Sequence, residues 1–122
     1  MKVLLGIGAS DTSFEALDRT VERAREAGDD LTVALLVGAE SVDDPDELTA
    51  RVRDRLSEAG VDAEIRRVTG NPGSRLVELA DGEEFDQLVI PGGERSAMGK
   101  ISLGPITEFV VLNAETTVTL VR

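Results

Sequence analysis

Short apolar runs alternate along this chain with longer segments of helical period, and glycines sit at the joins. The runs Lys2–Gly8, Leu31–Val37, Ala63–Val68, Gln87–Pro91 and Thr117–Arg122 predict strands. The first, second and fourth are nearly continuous in Val, Leu and Ile, as strands covered on both faces must be. The first intervening segment opens with Thr12-Ser13-Phe14-Glu15, which has capping-box spacing. It carries Phe14, Leu17, Val21 and Ala24 on one face and stops at Gly28. A second helix follows Pro45, turns Leu48, Val52, Leu56 and Ala59 inward and ends at Gly60. The third starts at Asn71-Pro72, an N-cap followed by proline at the first helical position, and ends near Gly82. The fourth starts after Gly104-Pro105 and presents Ile106, Phe109 and Val110, so that Phe14 and Phe109 both read as core. Five strands alternating with four helices predict right-handed crossovers and an α/β fold. Its three layers are an open, mainly parallel five-stranded sheet and helices on both faces, formed as one domain over residues 1–122. A domain of this size buries about two-thirds of its unfolded surface and needs no staples.

Composition removes whole classes of chemistry. The chain has no His and no Cys, which excludes disulfides, Cys or His zinc sites, Cys–His nucleophiles and a Ser–His–Asp triad. With 24 acidic and 13 basic residues the net charge is −11, and Lys2 and Lys100 are the only lysines. A deeply acidic, arginine-for-lysine surface reads as adaptation to a salty cytoplasm, because at about 1 M salt the Debye length falls to roughly 3 Å and self-repulsion is screened. The densest basic stretch, Arg51, Arg53 and Arg55, is interleaved with Glu47, Asp54 and Glu58 and reads as a solvated helix face, not a nucleic-acid surface. The apolar run after Met1-Lys2 is too short for a signal peptide and reaches Asp11 at once. No stretch approaches the ~18 apolar residues of a membrane span. A cytoplasmic protein without membrane or nucleic-acid partners is expected.

In open sheets of this kind ligands bind beyond the carboxyl ends of the strands, where strand order reverses. Gly8-Ala9-Ser10-Asp11, Val37-Gly38 and the loop from Gly92 to Gly104 reach that edge, and a loop that long inside a compact domain is a candidate site. Asp11, or Asp43, Asp44 and Asp46, have the oxygen ligands of a hard-cation site, yet helix capping and acidic surface account for them and no metal site is expected. A phosphoryl receiver needs acids where this chain has Gly8-Ala9 and Val68-Thr69-Gly70. A dinucleotide-binding turn needs a glycine where Asp11 stands.

The ordered segments Val3-Leu4-Leu5-Gly6-Ile7-Gly8-Ala9-Ser10, Gly70-Asn71-Pro72, Phe85-Asp86-Gln87-Leu88-Val89-Ile90, Leu103-Gly104-Pro105-Ile106-Thr107-Glu108 and Asn113 to Arg122 resemble the universal stress protein family. The resemblance spans nearly the whole chain and is weakest across residues 38–50. It implies an adenine-nucleotide alpha-hydrolase-like fold with strand order 3-2-1-4-5, and a small stress-response protein that is not an enzyme. ATP-binding members carry a Gly-x2-Gly-x9-Gly-[Ser/Thr] loop. Anchored on Gly104, that pattern places Pro91, Glu94 and Pro105 at its other positions, and the family's nucleotide-contacting Asp falls at Gly8. Pro105 has no N–H to donate, and Glu94 adds negative charge where phosphates would lie. Arg95 and Lys100 read as solvated loop residues.

The resemblance therefore implies no tight cofactor, ATP with magnesium being the disfavoured alternative. In that alternative the nucleotide site is Ile7, Gly8, Ala9, Ser10, Val37, Gly92, Gly93, Gly104, Ile106 and Thr107, and another adenylate or an inorganic anion is a third occupant. Thr117–Arg122 is apolar, β-branched and uncharged until Arg122, the pattern of an edge strand open to pairing. The family typically dimerises through this strand, which implies a homodimer pairing Val118 and Leu120 with their symmetry mates, and a further protein partner.

Overall fold

The computed structural model describes residues 1–37, 44–92, 94–95, 101–102 and 104–121. Its sheet is five-stranded and parallel throughout. Strand β1 (Lys2–Ile7) lies at the centre, between β2 (Asp30–Leu36) and β4 (Gln87–Pro91); β3 (Glu64–Val68) and β7 (Thr117–Val121) form the edges, in the order β3-β2-β1-β4-β7. This is the expected 3-2-1-4-5 order. One element was not foreseen: inside the long loop, β5 (Glu94–Arg95) and β6 (Ile101–Ser102) pair as a short antiparallel ribbon.

The alternation of side chains along β1 creates two cores. Val3, Leu5 and Ile7 point to one face, where they meet Phe14, Leu17 and Val21 of α1 (Asp11–Ala27) and Leu48, Val52 and Leu56 of α2 (Pro45–Ala59). Leu4 points to the other, with Leu88, Ile90 and Phe85, beneath Leu76 and Ala80 of α3 (Pro72–Gly82) and Val110 of α4 (Pro105–Asn113). Burial on both faces is why these strands read as continuous apolar runs.

Three helices begin on side-chain caps. Asp44 accepts from Asp46 N and Glu47 N at 3.0 and 3.2 Å, and Asn71 accepts from Ser74 N at 3.0 Å. For α1 the expected Thr12–Glu15 box is displaced: the N-cap is Ser10, whose hydroxyl accepts from Ser13 N at 3.2 Å. The cap two residues earlier gives α1 an extra half turn and aims its start at the ends of the strands. Gly28 and Gly60 close α1 and α2 at φ of 72° and 68°, conformations that only glycine adopts without strain.

Two readings of side chains need correction. Phe109 is 39% exposed rather than core, because it lies on the flank of α4, with its ring packed where a Cβ on Gly73 would come within 2.9 Å. Arg51 and Arg55 are not a merely solvated face: their guanidinium groups lie 4.2 and 5.3 Å from the centre of the Phe14 ring, and Arg55 also donates to Asp18 at 2.6 Å. These two arginines roof the outer side of the α1–α2 core.

The turn from α4 into β7 is held from a distance. Asp81, at the end of α3, accepts from Glu115 N at 3.2 Å, Thr116 N at 3.0 Å and Thr116 Oγ1 at 2.6 Å. The Thr116 hydroxyl first, then the two backbone donors, hold its carboxyl below the ordinary 3.8. A carboxylate with a depressed folded pKa stabilises above its unfolded pKa, and that contribution is lost as pH falls through the folded value. Asp81→Asn should therefore lower stability near neutrality by about 1–2 kcal/mol and flatten the acid limb of stability against pH, read by urea unfolding across the acidic range.

Candidate functional site

Where β1 and β4 end, the chain leaves toward α1 from one and toward the β5–β6 ribbon from the other. Between these departures lies a cleft of about 180 Å³. Gly6, Leu36, Leu76 and Ile90 form its floor; Gly8, Ala9, Ser10 and Ser13 make one wall, and Pro91, Ile106 and Thr107 the other. The floor depends on Gly6, since a Cβ there would stand 2.7 Å from a methyl of Leu76, so only glycine lets α3 lie this close to β1.

A hydroxyl network occupies the α1 wall. Gly8 N donates to Ser13 Oγ at 3.0 Å, and Ser10 Oγ lies 3.0 Å from both Ser13 Oγ and Thr12 Oγ1. The network satisfies one early donor of α1, Ser13 N, and engages the Gly8 N–H, which is thereby unavailable to a ligand. Opposite, Thr107 Oγ1 donates to Pro91 O at 3.4 Å, and α4 begins on Gly104 without a side-chain cap.

The cleft is poor in charge. None of the described residues lining it has an ionisable side chain, so they supply no general acid, no base and no cation grip. Among the described residues no group of three or more acidic side chains is placed to hold a metal ion. The described lining forms an apolar slot rimmed by hydroxyls, suited to hold a flat group.

The universal stress protein family profile matches residues 1–122. The chain belongs to the universal stress protein family. A universal stress protein solved in complex with cAMP is 30% identical, with a TM-score of 0.75 over 99% of this chain and 95% of that one. Universal stress proteins from Lactobacillus plantarum (18% identity, TM-score 0.82, 100% of this chain and 97% of that) and from Archaeoglobus fulgidus in complex with dAMP (18%, 0.72, 100% and 98%) share the fold. No curated protein matches the chain.

Of the residues assigned to a nucleotide site from the sequence of this universal stress protein, Ile7, Gly8, Ala9, Ser10, Ile106 and Thr107 come together in the cleft. Val37 does not join them; it packs against the α1–α2 core. The Gly92 N–H is spent on Val121 O at 2.6 Å, and Gly104 is an exposed N-cap outside the lining. Gly93 and Lys100 lie outside the described residues, as do Gly38 and Asp43. Sequence reasoning missed Gly6, Ser13, Leu36, Leu76, Ile90 and Pro91 as lining. Gly6 did carry a signal, a lone glycine inside an apolar strand, which marks close approach by another element. Gly6→Ala should cost about 1–3 kcal/mol in urea unfolding by forcing Leu76 outward.

Proposed function

We propose that this universal stress protein acts in stress response as a cytoplasmic homodimer, through contacts with a protein partner, without catalysis and without tight ATP binding. The reading rests chiefly on the start of α4. Pro105 occupies the first helical turn, where a phosphate-cradling member would offer an amide and a hydroxyl, and proline supplies neither. No described lining residue carries a cation to offset a triphosphate's charge, and the protein around the cleft is acidic. Halophilic adaptation fits the same composition.

The dimer reading draws on the contrast between the two edges of the sheet. On β3, Arg66 pairs with Glu64 at 3.0 Å and with Glu83, and Arg67 pairs with Asp46, so that edge is covered in charge. Thr117–Val121 carries no charge at all, and α4 beside it exposes Val111 at 44% and Leu112 at 75%. Val118 and Leu120 are half-buried against the α3–α4 core and are the side chains a symmetry-related β7 would flank. Sedimentation equilibrium should give twice the 13.0 kDa chain mass; a monomer would sink the dimer reading.

A second reading, adenosine monophosphate or cyclic monophosphate binding, is favoured by the relatives in complex with cAMP and dAMP. It needs only the apolar slot and a few donors. The ultraviolet spectrum of purified protein separates the two, because a chain without Trp or Tyr absorbs little near 260 nm and a carried nucleotide stands out. We expect a clean spectrum and no saturation by ATP. The double change Glu94→Gly with Pro105→Ser should then raise ATP affinity about tenfold or more, the worth of one added hydrogen bond to a charged group. No gain would refute this account of the loop.

A further inference from the structure

Another cavity, of about 150 Å³, lies away from the cleft, between α1 and the sheet at its β4–β7 side. Its floor is Val3, Val89 and Val121, interrupted by Gln87, whose side-chain amide donates to the Thr119 hydroxyl. Its α1 wall is different in kind. Arg19 and Arg23 stand one helical turn apart in the lining, with Thr20 between them, so both face the same cavity. Thr20 is 7% exposed and lines the cavity between them. Arg19 enters no ion pair among the described residues. Asp29, also in the lining, has its charge answered by the Met1 ammonium at 3.2 Å, and lies 3.9 Å from Arg23 Nε. Arg23 remains 63% exposed with other N–H groups to give.

We propose that this cavity is a binding site for a small organic carboxylate with a compact apolar body. The body lies on Val3, Val89 and Val121; the carboxylate accepts from Arg19 and Arg23 and from the Thr20 hydroxyl. Three observations fix the class of ligand. The volume suits a body of about one benzene ring lying on the floor. The three valines give an apolar group surface to cover and give a bare inorganic anion no contact, while the Gln87 amide N–H is already spent on the Thr119 hydroxyl. In a chain of net charge −11, two arginines in one lining make a local reversal of sign that a neutral ligand does not need. The site does not rest on the state of the nucleotide cleft, since its residues belong to the opposite face of the sheet from α3 and α4.

The test is a methyl and amide NMR titration of the full chain with benzoate, with benzyl alcohol and acetate as the neutral and body-less controls. Benzoate should give saturable shifts at Val3, Val89 and Val121, weakened by added salt, and neither control should match it. Arg19→Gln and Arg23→Gln, which alter exposed side chains, should each weaken benzoate about tenfold. Thr20→Val should weaken it less, and Ala24→Leu, which fills the cavity, should abolish the shifts. If Ala24→Leu does not fold, the arginine variants decide alone. The proposal is overturned by equal response to benzyl alcohol, by shifts centred on Ala9 and Ile106 in the cleft, or by benzoate affinity unchanged in the arginine variants.

Discussion

The burial of β1 on both faces is the constraint on which the rest depends. With Leu4 sent to one side and Val3, Leu5 and Ile7 to the other, neither face of the sheet can be left to water. Each face therefore needs helices, α1 and α2 on one and α3 and α4 on the other. Parallel pairing then follows, because a chain that must lay a helix between successive strands returns to the same edge each time. All strand ends of one polarity collect on one side of the sheet. The cleft exists there because β1 and β4 are neighbours whose following segments diverge to opposite faces, α1 to one and α4 to the other.

Charge is laid over this frame with some economy. Acidic residues dominate the chain, so each arginine has a choice of partners, and several arginines are drawn to places where they also cover apolar surface. Arg51 illustrates the choice. It stands four residues after Glu47, the spacing of a helical ion pair, yet it lies over the Phe14 ring, where its planar group replaces water on an aromatic face. On the edge strand β3, Arg66 lies between Glu64 and Glu83, and these hydrogen bonds raise its pKa and lower that of Glu83. The result is one edge of the sheet closed by charge and the other left with only Thr, Val and Leu.

What the sequence made legible were features decided locally. Asp44-Pro45 and Asn71-Pro72 are helix starts in any context, because the cap acceptor and the fixed proline φ act within a few residues. Strand order was legible only through the family resemblance, since periodicity says nothing about neighbours. The start of α1 was misplaced because Ser10, Thr12 and Ser13 are all competent caps, and the winner was set by the hydroxyl network that also captures Gly8 N. Phe109 was misread because an apolar helix tells no inside from outside; Val110 takes the sheet-facing position, and the flank falls to Phe109. The cleft was half legible. Backbone-rich loop positions such as Gly8 and Ser10 announce themselves, whereas Leu36, Leu76 and Ile90 are ordinary core residues until packing leaves a gap above them.

The start of α4 sets the needs of a helix against those of a phosphate site. A helix gains from proline in its first turn, whose N–H has no intrahelical partner and whose φ is already helical. A phosphate site needs the same N–H as a donor, together with a side-chain hydroxyl beside it. At residue 105 the two demands conflict, and proline serves the helix. The fold loses nothing by this, because α4 is held by Val110 in the α3–α4 core and by the Asp81 latch at its far end. A single position can therefore remove a backbone donor while every contact that defines the architecture survives. That independence makes fold a weak guide to ligand in this chain, and it leaves the lining of each cavity as the basis for assigning one.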